Sequence, residues 1–160
     1  MTGTSFDLRP ARPSDLPALN HMLRMIYDRD IAAVNTAKGR QSFFSFIRPP
    51  DFLSRLENGS RLYLLWQDSW LAGCLERKDG HILLLFIHPQ YRRQGLARRL
   101  IQAALADLRS AGLPATLTLN ASPNAYAAYA RLGFRPIGTE FERAGIRARP
   151  LRLDARLGWS

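Results

Sequence analysis

The most informative segment of this 160-residue chain reads Phe86-Ile87-His88-Pro89-Gln90-Tyr91-Arg92-Arg93-Gln94-Gly95-Leu96-Ala97. It joins an apolar run to the start of an amphipathic segment. A strand that leads through a tight turn into a helix leaves free backbone N–H groups at the positive end of the helix dipole, which suits a phosphate. Gly95 lets the backbone approach the anion closely, and Ala97 adds little bulk. The segment is neither a P-loop nor a dinucleotide fingerprint, because it lacks Gly-Lys-Ser/Thr and the three spaced glycines.

The residues before this segment predict an antiparallel meander. Apolar, β-prone runs at 61–66, 71–77 and 81–87 are separated by short turns, and Asp79-Gly80 is a strong hairpin signal. The third run is apolar at successive positions, as expected for a strand covered on both faces. We therefore expect residues 81–87 to form the central strand.

Further upstream, the sequence predicts a strand at 6–9, a helix that begins after an N-cap at Ser14, and a short helix started by Pro49-Pro50. Residues 30–48 show no clean period and predict a loop with at most a short helical turn. Loops of this length are uncommon inside compact domains and hint at function. Its phenylalanine cluster is interpreted as core, with a wall of the substrate site as the alternative; the cluster comprises Phe43, Phe44 and Phe46.

Downstream, the pattern predicts a helix over 95–110, a strand over 116–119, a helix over 124–132, and two strands within 134–153 that are joined through Ala144-Gly145. The predicted order is β α α β β β α β α β β. This order indicates an α/β or α+β sheet with helices on both faces.

Length and composition exclude several classes. A chain of 160 residues predicts a single domain over 1–160. One cysteine, Cys74, and three histidines without zinc-ligand spacing predict no disulfide and no metal site. The longest apolar run is too short to cross a bilayer, and the first residues do not resemble a signal peptide. We expect a soluble protein of the cytoplasm.

The net charge of +10, from 23 Lys and Arg against 13 Asp and Glu, favours anionic partners. The cations are scattered, however, with no run longer than two. A solvated basic surface is the simpler interpretation, and charge alone identifies no nucleic-acid binder.

Two motifs carry a family resemblance. Arg92-Arg93-Gln94-Gly95-Leu96-Ala97 resembles the Q/R-x-x-G-x-G/A signature with which the GCN5-related N-acetyltransferases (the GNAT superfamily) hold the pyrophosphate of acetyl-CoA. Tyr126-Ala127-Ala128-Tyr129-Ala130-Arg131-Leu132-Gly133-Phe134 is similar to the superfamily's Y-x-x-x-G-F ending. The element order also matches, so the resemblance covers nearly the whole chain. Asn120-Ala121-Ser122-Pro123 and residues 138–150 resemble a bacterial branch whose substrates are mostly unassigned.

The resemblance implies a mixed, mostly antiparallel sheet of about seven strands and a site for acetyl-CoA, without a metal. The end of the central strand would pair through its backbone with the pantetheine arm, and the main-chain amides of residues 93–97 would hold the pyrophosphate. The implied cofactor-binding residues are Phe86, Ile87, His88, Arg92, Arg93, Gln94, Gly95, Leu96, Ala97, Asn120 and Tyr126. For Tyr126, a packing role is the alternative.

The resemblance also implies the catalytic groups. Tyr129, four residues before Gly133-Phe134, would be the general acid, because a phenol with a pKa near 10 keeps its proton at neutral pH. The general base is less defined, since the central strand lacks the glutamate that many members carry. Glu76 is the preferred candidate, His81 is an alternative, and water alone suffices if the amine arrives neutral.

The sequence therefore predicts an N-acyltransferase that moves an acetyl group from acetyl-CoA to a primary amine by direct attack in a ternary complex. A non-catalytic acyl-CoA sensor and, less favoured, a basic nucleic-acid-binding domain are the alternatives, and a homodimer stays open. The net charge should repel polyamines and favour a small amine on a neutral or anionic scaffold. A local acidic pocket around Asp28, Asp30 and Asp51 would reverse this preference.

Overall fold

The computed structural model describes residues 5–157 and 159. Within them, the α-helices are α1 (Leu16–Ile26), α2 (Ala37–Phe46), α3 (Pro49–Glu57), α4 (Leu96–Ser110) and α5 (Tyr126–Arg131). The strands are β1 (Asp7–Pro10), β2 (Arg61–Gln67), β3 (Trp70–Lys78), β4 (His81–Ile87), β5 (Thr116–Ala121), β6 (Arg135–Pro136), β7 (Phe141–Arg143) and β8 (Ile146–Asp154). A π-helical turn, Tyr27–Ile31, follows α1.

The strands form one sheet in the order β1-β2-β3-β4-β5-β8-β6, and β7 pairs with β8. All pairs are antiparallel except β4 with β5. The predicted mixed, mostly antiparallel sheet is confirmed, with β4 at its centre. Among the described residues, the strand beyond the predicted seven is β6, which has only two residues.

Helices cover both faces of this sheet, as predicted. The apolar stripe of α1 packs with α3 on one face, where Leu19 and Leu23 are fully buried. On the other face, α4 buries Leu100 and Ile101 against the sheet. Full burial of each such side chain stabilises the fold by about 1.5–3 kcal/mol. Strand β4 contributes side chains to the apolar cores on both faces of the sheet. This explains why its sequence is apolar throughout.

The central feature of the sheet is a gap between β4 and β5. Within the described residues, these parallel strands share a single registered pair, His81 with Thr118. Beyond it, β4 stays paired with β3 while β5 stays paired with β8. The register between β3 and β4 also shifts once, leaving Leu83 as an extra residue on β4. Bulges of this kind re-aim the backbone next to functional sites. The β5-facing edge of β4 is therefore open towards its carboxyl end.

The predicted loop over residues 30–48 is wrong, because most of this segment is helical. The Thr36 side chain caps α2 by accepting a hydrogen bond from the Gly39 N–H at 3.2 Å. Gly39 faces the β7–β8 turn so closely that a Cβ there would lie 2.2 Å from the Gly145 carbonyl oxygen. Contacts with that distant hairpin stabilise α2, and such contacts leave no periodic pattern in the sequence.

The other predicted elements are present with small shifts of their ends. Helix α5 is shorter than predicted, since a 3₁₀ turn, Pro123–Ala125, precedes it. Asp15 rather than Ser14 precedes the first residue of α1. None of the described helices is both long enough and apolar enough to cross a membrane.

Candidate active site

A cleft of about 1180 Å³ opens where β4 and β5 separate. Its walls come from β4, the turn into α4, the β5–α5 connection, the segment from the end of α1 to α2, and the β7–β8 hairpin. Ligand pockets commonly span about 300–1000 Å³, so this cleft is large enough for an extended ligand.

The turn into α4 forms one end of the cleft. Arg93 and Gly95 both have left-handed backbone conformations, with φ of +65° and +74°. Alternation of left-handed and ordinary residues turns successive N–H groups towards one side and creates an anion-binding concavity. Within the described residues, the N–H groups of Arg93, Gln94 and Gly95 have no intramolecular acceptor. The first turn of the 15-residue helix α4 adds its own free N–H groups.

The two arginines of this turn differ in their contacts. Arg92 donates to the Ile87 carbonyl oxygen at 3.2 Å and to the Asp30 carboxylate at 2.6 Å, and so ties the turn to the π-helical turn. Asn124 reaches the same place and donates to the Asp30 carbonyl oxygen. Arg93 is exposed and makes no ion pair among the described residues. The charge available to an anion at this turn therefore comes from Arg93.

Tyr129 lies across the gap between the strands. Its hydroxyl is 3.5 Å from the Leu85 carbonyl oxygen on β4, and its ring packs edge-on against Phe134 at 5.5 Å. Burial, followed by the neighbouring Cys74 thiol, raises the pKa of Tyr129 above its usual value. The phenol therefore stays protonated at neutral pH. Because its hydrogen bond is long, the hydroxyl can turn to another acceptor in the cleft.

Glu76 does not line the cleft. Its side chain is fully buried, and its carboxylate accepts hydrogen bonds from Arg55 at 2.8 and 3.0 Å and from the Ser60 hydroxyl at 2.9 Å. The Arg55 guanidinium also stacks on the Phe46 ring at 3.6 Å. This geometry does not support the predicted general base. It makes the carboxylate a buried anchor behind a wall of the cleft.

His81 also lies outside the cleft, at the closed end of the gap. Its Nδ1 is 2.7 Å from the Thr118 hydroxyl. Burial lowers the pKa of His81, which favours the neutral imidazole. The imidazole thus helps to join β4 and β5 at the single point where the two strands are paired.

Of the cofactor-binding residues implied by the sequence, most line the cleft: Phe86, Ile87, Arg92, Arg93, Gly95, Leu96, Ala97 and Asn120. Those outside its lining are His88, Gln94 and Tyr126. The His88 imidazole accepts a hydrogen bond from the Gln90 N–H at 3.1 Å and so caps its own turn. The Tyr126 hydroxyl donates to Glu140 at 3.0 Å. Tyr126 therefore packs at the surface beside the cleft.

A second part of the cleft, called its second end below, has an aromatic wall. Tyr27 and Phe43 stack at 4.8 Å, and Phe43 meets Phe86 edge-on at 5.9 Å. Phe46 also lines the cleft, and both Phe43 and Phe46 pack against the core as well, so these two members combine a core position with a place in the cleft wall. Phe44 does not line it and instead contacts the guanidinium groups of two arginines.

Hydrogen bonds join the chain segments that form this second end. The Asn35 side chain donates to the Tyr27 hydroxyl at 3.4 Å and accepts from the Arg147 N–H at 2.8 Å. Together these contacts connect the π-helical turn after α1, the segment before α2, and β8. Several residues that line this end were not predicted from the sequence: Tyr27, Asn35, Phe141, Arg143 and Arg147. The sequence signals that pointed there were the length of the segment 30–48 and its phenylalanine cluster.

Comparison with known families identifies the family of this fold. A family model described as an acetyltransferase (GNAT) domain matches residues 31–155, well over half of the chain. The chain belongs to the GNAT acetyltransferases. No curated protein matches this GNAT sequence.

Solved structures share the GNAT fold of this chain at low sequence identity. The PaiA N-acetyltransferase from Thermoplasma acidophilum, in complex with coenzyme A, has a TM-score of 0.79 and 16% identity, covering 94% of this chain and 99% of its own. A GCN5-related N-acetyltransferase from Rhodopseudomonas palustris has a TM-score of 0.77 and 19% identity, covering 96% and 98%. YncA from Salmonella typhimurium, with acetyl-CoA, has a TM-score of 0.65 and 16% identity, covering 94% of both chains.

Two further observations bear on the chemistry of this GNAT domain. Among the described residues, no three His, Cys, Asp or Glu side chains cluster as metal ligands would. Cys74 is fully buried, and burial raises the pKa of its thiol. A protonated, inaccessible thiol is a poor nucleophile. The geometry thus gives no support to a covalent intermediate on this cysteine.

Proposed function

We propose that this GNAT chain transfers an acetyl group from acetyl-CoA to the primary amine of a small acceptor, by direct attack in a ternary complex. One observation carries the proposal: the open edge of β4 runs from the turn with free N–H groups to the Tyr129 hydroxyl. The presence of coenzyme A and acetyl-CoA in the relatives from T. acidophilum and S. typhimurium supports the same donor here.

The residues present fit an acyl-CoA. The N–H groups from Arg93 to Ala97, with the Arg93 guanidinium, would hold the diphosphate. The amide groups of the pantetheine arm would pair with the open edge of β4 as an added strand does. This arrangement would direct the thioester towards the gap beside Leu85, where Tyr129 lies.

The proposed reaction needs one proton donor and one proton acceptor. The amine nitrogen attacks the thioester carbonyl carbon, a C–N bond forms, and the C–S bond breaks. Tyr129 gives its proton to the departing sulfur and regains one from solvent, while the attacking nitrogen loses its proton to water. Water is assigned this role because Asp30 is the only carboxylate that lines the described cleft, and it is paired with Arg92.

The same observation favours a second candidate, a non-catalytic acyl-CoA sensor. Such a protein needs the turn and the open strand edge but no base. The buried position of Glu76 removes the predicted base from the cleft, so binding without turnover is consistent with the geometry. The two candidates differ in whether an amine causes release of free thiol.

The test combines acetyl-CoA titration with an amine panel. The purified protein should bind acetyl-CoA saturably, and thiol release should require both the protein and an amine, with the acetylated amine identified by mass. Saturable binding without amine-dependent release across the panel would support the sensor. Absence of saturable binding would contradict both candidates.

A further inference from the structure

Charges along the cleft are strongly one-sided. In the described lining there are six arginines and one aspartate. The arginines are Arg92, Arg93, Arg98, Arg131, Arg143 and Arg147, and the aspartate is Asp30. A site built for a cationic acceptor would instead present carboxylates, because like charges repel across a short distance.

Asp28, Asp30 and Asp51 could have formed an acidic pocket that favours a cationic acceptor, but all three carboxylates are paired with arginines. Asp28 is bound by Arg40 through two hydrogen bonds of 2.9 and 3.1 Å. Asp30 is paired with Arg92 at 2.6 Å, and Asp51 with Arg48 at 2.8 Å. Each carboxylate of the trio therefore has its own guanidinium and offers little to a cationic acceptor.

The two carboxylates near the second end, Glu140 and Glu142, are also not available to a cationic acceptor in the cleft. Glu140 accepts hydrogen bonds from the Arg147 guanidinium at 2.7 and 3.1 Å and from Tyr126 at 3.0 Å. Its pKa is lowered, first by Arg147 and then by Tyr126, so it stays ionised and paired. Glu142 is exposed and does not line the cleft, since neighbouring residues of a strand point to opposite faces.

Arg143 differs from Arg147, the other lining arginine of the β7–β8 hairpin, which is paired with Glu140. It lines the cleft, is exposed, and makes no ion pair among the described residues. Its guanidinium lies 5.3 Å from the centre of the Phe141 ring, which also lines the cleft. A guanidinium that rests on an aromatic ring keeps its fork of N–H donors free for a carboxylate or phosphate.

The position of Arg143 is fixed by the hairpin that carries it. Ala144 and Gly145, the two turn residues, both have positive φ, as the tight turn between β7 and β8 requires. The Ala144 carbonyl oxygen accepts from the Ser42 hydroxyl at 2.9 Å, and the Gly145 carbonyl oxygen from the Thr36 N–H at 3.2 Å. A binding group on a rigid element loses less entropy when its ligand binds.

From this arrangement we infer that the acceptor amine carries an anionic group, a carboxylate or a phosphate, and that Arg143 binds that group. The aromatic wall around Phe43 and Phe46 would hold an apolar body between the anion and the amine. This inference rests on the proposed acetyl transfer and names the substrate class of the same site. The acceptor class is thus a small amphipathic amine with a negative charge, and polyamines are excluded.

The experiment compares acceptors with and without an anionic group. Phenylalanine is paired with phenylalaninamide, phosphoethanolamine with ethanolamine, and spermidine represents the cations. Rates are measured with acetyl-CoA, and equilibrium binding of each amine is measured separately on the CoA-bound protein. The protein variants are Arg143→Gln and, as a matched control, Arg61→Gln, which removes one exposed charge from β2 outside the cleft.

The anionic member of at least one pair should bind and react better than its neutral partner, and the responding pair identifies carboxylate or phosphate. Arg143→Gln should weaken binding of that amine and raise its KM by about 10- to 100-fold, the worth of a hydrogen bond to a charged group. The neutral partner and the affinity for acetyl-CoA should not change. Arg61→Gln should behave as the unsubstituted protein.

Several results would overturn the inference. They are equal use of neutral and anionic amines, preference for spermidine, equal effects of Arg143→Gln and Arg61→Gln, or no binding of any anionic amine. Failure of the proposed transfer is a separate result, seen as no thiol release with any amine. The binding measurements on the CoA-bound protein then decide the inference by themselves.

Discussion

The hydroxyl of Tyr129 on α5 lies 3.5 Å from the carbonyl oxygen of Leu85 on β4. This contact crosses the gap that β5 leaves when it diverges from β4. A substrate arm that pairs with the open edge of β4 would end beside this hydroxyl. The relation between these two residues therefore connects the binding surface with the proposed proton donor.

The first prediction concerns that donor. Tyr129→Phe should lower kcat by about 10²-fold or more, the scale of general acid catalysis, while the affinity for acetyl-CoA stays the same. Burial raises the pKa of the phenol, and a donor acts only while protonated. Loss of kcat through deprotonation of Tyr129 should therefore occur only above about pH 10. Steady-state rates across pH and acetyl-CoA titration provide the measurements.

Tyr126→Phe is the matched control for this substitution. Tyr126 lies on the same helix, but its hydroxyl contacts Glu140 and it does not line the cleft. Its loss should leave kcat essentially unchanged. If both variants lose activity equally, or if Tyr129→Phe keeps the full rate, another group protonates the thiolate.

The second prediction tests the anion-binding turn. Gly95→Ala places a Cβ at a residue with φ of +74°, which strains the backbone by about 1 kcal/mol and narrows the approach of a diphosphate. Gly112, which follows the other end of α4, has φ of +73°, and a Cβ meets nothing within 4 Å at either glycine. Gly112→Ala thus applies a similar strain away from the cleft.

Both glycine variants should lower the thermal midpoint by similar amounts. Only Gly95→Ala should weaken acetyl-CoA binding, by about tenfold or more, because hydrogen bonds to a charged group are worth about 1.5–3 kcal/mol each. Calorimetric titration gives the two affinities. Equal affinities in the two variants would contradict the role of this turn.

The sheet, the turn into α4 and the place of Tyr129 were predictable because their sequence signals are local. The apolar run of β4 requires cover on both faces, and the stripe of α4 requires burial. Gly95 has the positive φ for which glycine is suited. Tyr129 followed from a motif whose spacing also places it across from β4.

The second end of the cleft was not predictable, because its contacts join residues far apart in sequence. Gly39 lies against Gly145, and Asn35 binds the backbone of Arg147. No period within residues 30–48 reports such contacts. The predicted role of Glu76 as general base is not supported, for a related reason. Its place in a strand next to β4 can be inferred from the local sequence, whereas its burial depends on Arg55, a residue on α3.

The third prediction concerns Glu76. Glu76→Gln should destabilise the protein by about 3–5 kcal/mol, since it leaves the Arg55 guanidinium without its buried counter-ion. Because Glu76 lies outside the cleft, kcat of the folded variant should not change. Urea unfolding and steady-state rates well below the thermal midpoint separate the two effects. A large fall in kcat at unchanged stability would restore Glu76 as the base.

The fourth prediction is a pH dependence of stability. Burial lowers the pKa of His81 in the folded protein, while unfolding restores a value of about 6.5. The unfolded chain then binds the additional proton, so this stability is complete above about pH 6.5 and is lost as pH falls through the folded pKa. His88, whose pKa burial also lowers, contributes in the same direction.

His81→Asn should therefore reduce the fall in the urea midpoint between about pH 7.5 and about pH 5.5. Part of the fall in the urea midpoint should remain in the His81→Asn variant, because His88 contributes in the same direction. His21→Asn, at an exposed site on α1, is the control and should keep the full fall. The prediction fails if the curves of the His81 and His21 variants coincide.

The last prediction separates the two ends of the cleft. Gly39→Ala brings a Cβ within 2.2 Å of the Gly145 carbonyl oxygen, so α2 must move away from the hairpin that carries Arg143. The KM for the acceptor should rise while the affinity for acetyl-CoA is retained, because residues 93–97 belong to a different wall of the cleft, the turn into α4. Gln41→Ala, an exposed change on α2, should alter neither value. The strain from overpacking is about 1–3 kcal/mol, and circular dichroism verifies that the variant folds. Parallel loss of both affinities would mean that α2 supports the whole cleft rather than its second end.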